Sequence, residues 1–192
     1  MAVLSPSSTA WLPESHGWPR FRAGGWGLAA ALLLCAAAWA GGPQLEYAVK
    51  ANYLCKFAPF VEWPASALPA GSPFNICVVG EDPFGPALDE AVRGQAIAGH
   101  PVAVRRMATV SGAPNCQVLY IGRSRVQKPA EVLQQVRGAP ILTVSDGPLD
   151  GEVVQFVLKD GRVRFAIDAA AAQANGLVIS SKLLGLATEV RR

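Results

Sequence analysis

The sequence predicts an α/β domain: a layered domain with a mainly parallel, mixed sheet that is flanked by helices and carries a C-terminal β-hairpin. Two patterns carry this prediction. Short apolar runs that suit buried strands alternate with helical segments, which is the order found in parallel α/β sheets. Near the C-terminus, Lys159-Asp160-Gly161 separates two strand-like segments, as the turn of a hairpin does.

The first half of the chain is predicted to supply a long helix, and then strands separated by a shorter helix. An apolar stripe predicts a helix over residues 45–60, and Pro59 and Pro64 end it because proline lacks a backbone donor and restricts the residue before it. Asp82 is predicted to cap the shorter helix, with Pro83 at its first helical position. The strands predicted in this half are 74–80, 100–107 and 117–121.

The second half is predicted to continue the alternation and to end in a helix. Gly138 closes a helix over residues 128–136, because glycine readily adopts the left-handed conformation that ends helices. Asp168 caps a helix that ends before Gly176, and a last helix is predicted over residues 177–190. The strands predicted in this half are 140–144, 152–158 and 162–167.

An export signal is predicted at the N-terminus, so that residues 1–40 form an N-terminal extension and signal peptide. Arg20 and Arg22 precede an uncharged apolar core, and Ala38-Trp39-Ala40 fits the small-x-small rule of signal peptidase, which predicts cleavage after Ala40. This core is shorter than the ~20 residues that span a bilayer, and an uncleaved anchor is the alternative. Residues 41–192 then form a single domain that is large enough to bury a core.

Three cysteines follow the leader, and an oxidising compartment favours pairing two of them. Cys77 and Cys116 lie in or beside short apolar runs that are predicted to be neighbouring strands, where Cβ atoms come close enough for a disulfide. Cys55 lies on the first helix and is left unpaired. The alternative is three buried, reduced thiols.

The composition argues against several functional classes. Lys and Arg number 17 and Asp and Glu 14, and no basic run exceeds a pair such as Arg105-Arg106, so nucleic-acid binding is not favoured. His100 is the one histidine after the leader, and neither it nor the cysteines have metal-ligand spacing. The turn over residues 80–85 carries Glu81 and Asp82, which would repel phosphate. We therefore expect no catalytic residue, no cofactor and no metal.

Several motifs, taken together, resemble the YfiR family of periplasmic proteins. The central piece is Phe57-Ala-Pro-Phe-Val-Glu-Trp-Pro64, which follows the leader and a helix. Each piece is short, but the pieces occur in the family's order across essentially all of residues 41–192. The other matching pieces are residues 47–54, 74–80, 82–85, 118–121, 141–146, 163–168 and 176–184.

The resemblance implies a periplasmic protein that binds and represses an inner-membrane signalling partner, in particular the periplasmic domain of a diguanylate cyclase. In the better-known members, redox state and envelope stress relieve the repression, which links the envelope to cyclic di-GMP and biofilm formation. The resemblance implies no enzyme activity, and a homodimer is compatible with it. Two alternatives stay open: a periplasmic small-ligand binding module that reports to a receptor and, with less support, an enzyme.

Glu62 and Trp63 are the residues that the sequence offers for contact with such a partner. They follow the predicted end of the first helix, where side chains can reach the surface. Phe57 and Phe60 of the same block are predicted to anchor that helix to the sheet. The alternative for Trp63 is that it also belongs to the core.

Overall fold

A computed structural model describes residues 42–192 and builds them on an eight-stranded mixed sheet with an additional two-stranded ribbon. The predicted leader and its cleavage after Ala40 lie outside the described residues. Within residues 42–192, no helix is both long enough and apolar enough to cross a membrane.

Helices and strands alternate along the chain, which confirms the predicted α/β class. The helices are α1 (Gly42–Phe57), α2 (Pro86–Val92), α3 (Pro129–Val136), α4 (Ala169–Ala174) and α5 (Ser181–Leu184), with 3₁₀ turns at Ala58–Phe60 and Ala65–Ala67. The strands are β1 (Val61–Glu62), β2 (Phe74–Val79), β3 (Ala96–Ile97), β4 (His100–Met107), β5 (Val118–Ile121), β6 (Leu142–Ser145), β7 (Val154–Lys159), β8 (Arg162–Asp168), β9 (Val178–Ile179) and β10 (Glu189–Arg191).

The large sheet has the strand order β10-β8-β7-β6-β5-β2-β4-β3. Strands β4, β2, β5, β6 and β7 are parallel, and β7 and β8 form the predicted antiparallel hairpin. Strand β10 pairs in parallel with β8 at one edge, and β3 pairs antiparallel with β4 at the other. Strands β1 and β9 form the separate ribbon. The sheet is therefore mainly parallel and mixed, as predicted.

The central strands are apolar on both faces because both faces are covered. Every residue of β2, β5 and β6 is buried, which explains why these strands appear in the sequence as unbroken apolar runs. On one face, Ile76 and Val118 belong to the core under α1 and α2. On the other face, Cys77 and Leu119 belong to the core under α3.

Helix α1 is held to the β7–β8 hairpin by aromatic rings. The Phe57 ring is 1% exposed and lies 4.9 Å from the Phe165 ring and 6.0 Å from the Phe156 ring. Tyr53, one turn earlier, contacts the same two rings. Of the two predicted anchors, Phe57 is buried in the core, whereas Phe60 is half-buried and packs beside it.

The helix predicted over residues 177–190 is wrong. Gly176 has a φ of 69°, which ends α4, and Val178–Ile179 then forms β9 against Glu62 and Val61. Helix α5 occupies one turn only, and Glu189–Arg191 adds β10 to the sheet. Tertiary pairing has overridden the helical pattern here, since β-branched residues in this segment pack well in strands.

The start of α2 also differs from the prediction. Asp82 does not cap a helix at Pro83; its Oδ1 accepts hydrogen bonds from the N–H groups of Phe84 (2.8 Å) and Gly85 (3.3 Å). The helix begins at Pro86, after Gly85 takes a φ of 50°. Arg106 Nε also donates to Asp82 Oδ2 at 2.6 Å, so Asp82 fixes a turn between strand and helix.

Candidate functional site

The disulfide lies inside the core on the face of the sheet that α3 covers. Cys77 in β2 is bonded to Cys116, which lies just before β5, with the two Cα atoms 6.0 Å apart. These are the two cysteines that the sequence predicts to pair. Cys77 is 0% exposed and Cys116 is 3% exposed. A reductant must therefore open the structure locally before it reaches this bond.

Cys55 is the free thiol of the described residues. It is half-buried on α1, and burial raises the pKa of its thiol to about 11. At neutral pH it is a protonated thiol, and the thiolate is the form that attacks disulfides. Cys55 therefore has neither the geometry of a bridge nor the acidity of a redox-active cysteine.

Glu62 belongs to β1 of the β1–β9 ribbon, and Trp63 directly follows it, near the amino ends of β2 and β5. Glu62 is exposed and pairs across the ribbon with Val178, which is 59% exposed. Trp63 is half-buried: its ring contacts the Phe74 ring edge-on at 5.2 Å, and its Nε1–H donates to the Gln117 carbonyl at 3.3 Å. Trp63 thus packs against the core while part of it faces outward. The partner-contact role of both residues stays a prediction.

Substitutions separate the two interpretations of this pair. If Glu62 contacts a partner, Glu62→Ala should weaken that binding and change the free energy of unfolding by no more than about 0.5 kcal/mol. Trp63→Ala should lower it by about 1–3 kcal/mol, less than the loss of a fully buried aromatic ring. Urea denaturation measures both, with Phe57→Ala as the control for a fully buried ring. The contact role is contradicted if Trp63→Ala destabilises as much as Phe57→Ala and Glu62→Ala leaves partner binding intact.

A polar network at the carboxyl ends of the parallel strands was not identified from the sequence. Asp146 directly follows β6, and its Oδ2 accepts hydrogen bonds from the hydroxyls of Tyr120 (2.8 Å) and Tyr47 (2.9 Å). The Lys50 ammonium lies 2.8 Å from Asp146 Oδ1 and 2.5 Å from Glu46 Oε1. Ser145-Asp146-Gly147-Pro148 has the composition of a simple turn and gives no sign of this network. The available signal was the position of Tyr120 and Asp146 near the carboxyl ends of adjacent parallel strands.

The charges and hydrogen bonds of this network fit a structural role, in which they hold α1 to the sheet. The Lys50 side chain is 5% exposed and its charge is matched by Glu46 and Asp146. Burial and the Asp146 hydrogen bond raise the pKa of Tyr47 to about 12, and burial and the Asp146 charge also raise the pKa of Tyr120. Both phenols therefore stay protonated hydrogen-bond donors at neutral pH. The network fastens α1 to the end of β5 and β6.

The other candidate groups in the sequence have structural partners. His100 Nδ1 lies 2.6 Å from the Ser72 carbonyl oxygen, at the start of β4. Across residues 42–192, no group of three or more His, Cys, Asp or Glu side chains is placed to hold a metal ion.

A second charge cluster, around the buried Glu152, ties the C-terminal strand to the hairpin. Glu152 is 0% exposed, and its Oε1 lies 3.4 Å from Arg191 Nη2 in β10. Arg191 Nε also lies 3.6 Å from Asp168 Oδ2. Burial raises the pKa of the Glu152 carboxyl, and the Arg191 charge only partly opposes this. The ionised form of Glu152 is therefore less favoured in the fold than in the unfolded chain.

This pKa direction predicts how stability depends on pH. Because the folded state binds the Glu152 proton more tightly, the contribution of Glu152 to stability is fully present below the ordinary carboxyl pKa of about 4.3 and is lost as the pH rises through the raised value. The slope for one group is at most ~1.4 kcal/mol per pH unit. Urea titrations of wild type and Glu152→Gln between pH 4.5 and pH 8 should show wild type losing stability relative to the variant. A difference between the two proteins that stays constant over this pH range would contradict this prediction.

Comparisons with known proteins identify the family to which this fold belongs. A search of curated proteins finds no significant match to the sequence. The family model described as YfiR/HmsC-like matches residues 47–188. This stretch includes the disulfide, the Glu62–Trp63 pair and every member of the Asp146 network except Glu46. The chain therefore belongs to the YfiR/HmsC-like family.

Proposed function

We propose that this protein is a periplasmic regulator that binds and represses an inner-membrane signalling partner, a diguanylate cyclase. The observation that carries the proposal is the family match over residues 47–188. The family is a regulatory rather than a catalytic one, and it implies interaction with a membrane signalling protein. The identification of the partner as a diguanylate cyclase rests on the better-known members of the family.

The site of action follows from the leader and the disulfide. The sequence predicts an export signal that is cleaved after Ala40. The buried Cys77–Cys116 bond is of a kind that forms and persists in an oxidising compartment such as the periplasm. Both features support a working location between the two membranes.

Repression requires a preference for one state of the partner. A bound protein shifts a two-state equilibrium only by its differential affinity, and moving a cyclase from almost wholly active to almost wholly inactive requires about 5.5 kcal/mol. Reduction of the disulfide supplies a redox input, because it removes the constraint between β2 and the start of β5. Since the bond is buried, this input should require partial opening of the domain.

A complementation experiment tests location and function together. We expect deletion of the gene in its native bacterium to increase surface attachment, and the full-length chain to restore the original level. A variant that begins at residue 41 and lacks the leader should accumulate in the cytoplasm and fail to restore it. Full complementation by the leaderless variant would contradict a periplasmic regulator, and N-terminal sequencing should find Gly41 as the first residue of the periplasmic protein.

The cavity at the Asp146 network gives little support to a small-ligand module. Such modules enclose pockets of roughly 300–1,000 Å³ with a few convergent polar groups. The cavity beside Asp146, where polar groups do converge, has a volume of about 190 Å³. Tyr120 and Asp146, which line it, already bond to each other.

A further inference from the structure

A groove with apolar walls runs between the N-terminal half of α1 and the tip of the β7–β8 hairpin. We call it the hairpin groove, and its walls include Leu45 and Val49 of α1 with Leu158, Arg162 and Val163 of the hairpin. Its volume is about 690 Å³, which accommodates several side chains.

The hairpin groove gathers apolar side chains that are exposed to solvent. Leu45 is 68% exposed, Leu158 59% and Val49 38%. They make up half of the six large hydrophobic residues exposed in residues 42–192; the other three are Val126, Val178 and Leu186. Scattered exposed apolar residues need no explanation, but their concentration along one groove is typical of a protein-binding surface.

The groove continues the core between α1 and the hairpin. Farther along α1, the rings of Tyr53 and Phe57 fill the space above Phe156 and Phe165. Toward the start of α1, Leu45 and Val49 are too short to fill the equivalent space above Leu158. A partner's apolar side chains placed there would extend an existing core.

The charges beside the groove indicate the charge of the partner that would bind there. Arg162 lines the groove, and Lys159 lies opposite Arg162 on the neighbouring strand of the hairpin. Glu46 also lines it, on the α1 side, and shares the Lys50 ammonium with Asp146, so the basic character is confined to the hairpin side. Asp160 in the turn balances only one of the two hairpin cations. The hairpin side of the groove is therefore basic and complements an acidic partner.

We propose that the hairpin groove is the docking site for an amphipathic segment of the signalling partner. Apolar side chains of that segment, spaced to share one face of a helix, enter the groove, and Asp or Glu residues at its flank pair with Lys159 and Arg162. This inference rests on the proposed function for the existence of a protein partner. The groove lies at the carboxyl end of β7, whereas Trp63 packs beside Phe74 and Gln117 at the amino ends of β2 and β5, so the two surfaces are distinct.

Photocrosslinking in living cells tests the occupant. The full-length chain carries benzoylphenylalanine at Leu158 or, as a matched control, at Val126, which is 75% exposed and lies outside the groove. We expect the Leu158 probe to crosslink a periplasmic segment whose sequenced peptide has apolar residues three or four apart and acidic flanks. The Val126 probe should not give that product. A second copy of the chain, lipid alone, a segment of other chemistry or no product at Leu158 would overturn the proposal.

Charge reversal tests the acidic flank of the occupant. Lys159→Glu combined with Arg162→Glu should lower the crosslink yield at Leu158 at least about tenfold, whereas Arg162→Lys alone should retain it. Both residues are exposed, so thermal melting should show that these variants fold. An unchanged yield in the double reversal would overturn the proposal. This test does not depend on cyclic di-GMP. A deletion that leaves the cyclic di-GMP concentration unchanged contradicts a diguanylate cyclase as the partner. The crosslinked peptide still shows whether the hairpin groove binds a segment of the proposed kind.

Discussion

Replacing both Cys77 and Cys116 with alanine is expected to lower the free energy of unfolding by about 4 kcal/mol. The bridge spans a sequence separation of 39 residues, and closing a loop of this length removes that much conformational entropy from the unfolded chain. Alanine avoids burying two hydroxyls at positions that are 0% and 3% exposed. Urea denaturation of the oxidised wild type and the double variant measures the difference.

Cys55→Ala is the control for this measurement. It also removes a sulfhydryl from a partly buried site, but no covalent bond, and we expect a loss below about 1 kcal/mol. If the double variant loses no more than Cys55→Ala, the bridge does not stabilise the fold. The proposal that its reduction loosens the domain would then be without a basis.

Phe57→Ala is expected to lower the free energy of unfolding by about 3–5 kcal/mol. The ring is 1% exposed and packs against Phe156, Phe165 and Tyr53, so its removal leaves a cavity between α1 and the hairpin. Phe57→Leu keeps most of the volume and should lose less than half as much. Chemical denaturation compares the two, and equal losses would show that ring packing does not hold α1 in place.

The same contact connects stability to the proposed surfaces. Helix α1 contributes Leu45 and Val49 to the hairpin groove and Tyr47 and Lys50 to the Asp146 network. A helix that loses its anchor at Phe57 should lose the geometry of both. Loss of repression in Phe57→Ala is therefore expected, and it would not by itself identify the partner-binding surface.

The sequence predicted the parts of the fold that are set by local pattern. Strands β2, β5 and β6 are buried on both faces and stand out as apolar runs, and the β7–β8 turn uses Asp160 and Gly161 at positive φ. The cysteine pairing followed from two such runs being neighbours. These features need no knowledge of distant contacts.

The parts that the sequence did not predict depend on partners that are distant along the chain. Val178–Ile179 becomes a strand only because Val61–Glu62 is there to pair with it. Lys50 and Asp146 are distant along the chain, and only the crossing of α1 brings their charges to 2.8 Å. The hairpin groove is likewise defined by the angle between α1 and the hairpin, and no local pattern specifies that angle.

The cyclic di-GMP concentration in the deletion strain tests the central claim most directly. We expect the concentration to rise when the gene is deleted, to return to the wild-type value when the full-length chain is supplied, and to be restored only in part by Cys77→Ser. Mass spectrometry of extracts from cells grown under the same conditions measures it. An unchanged concentration in the deletion strain, in a cell that produces an inner-membrane diguanylate cyclase with a periplasmic domain, would contradict repression of such an enzyme.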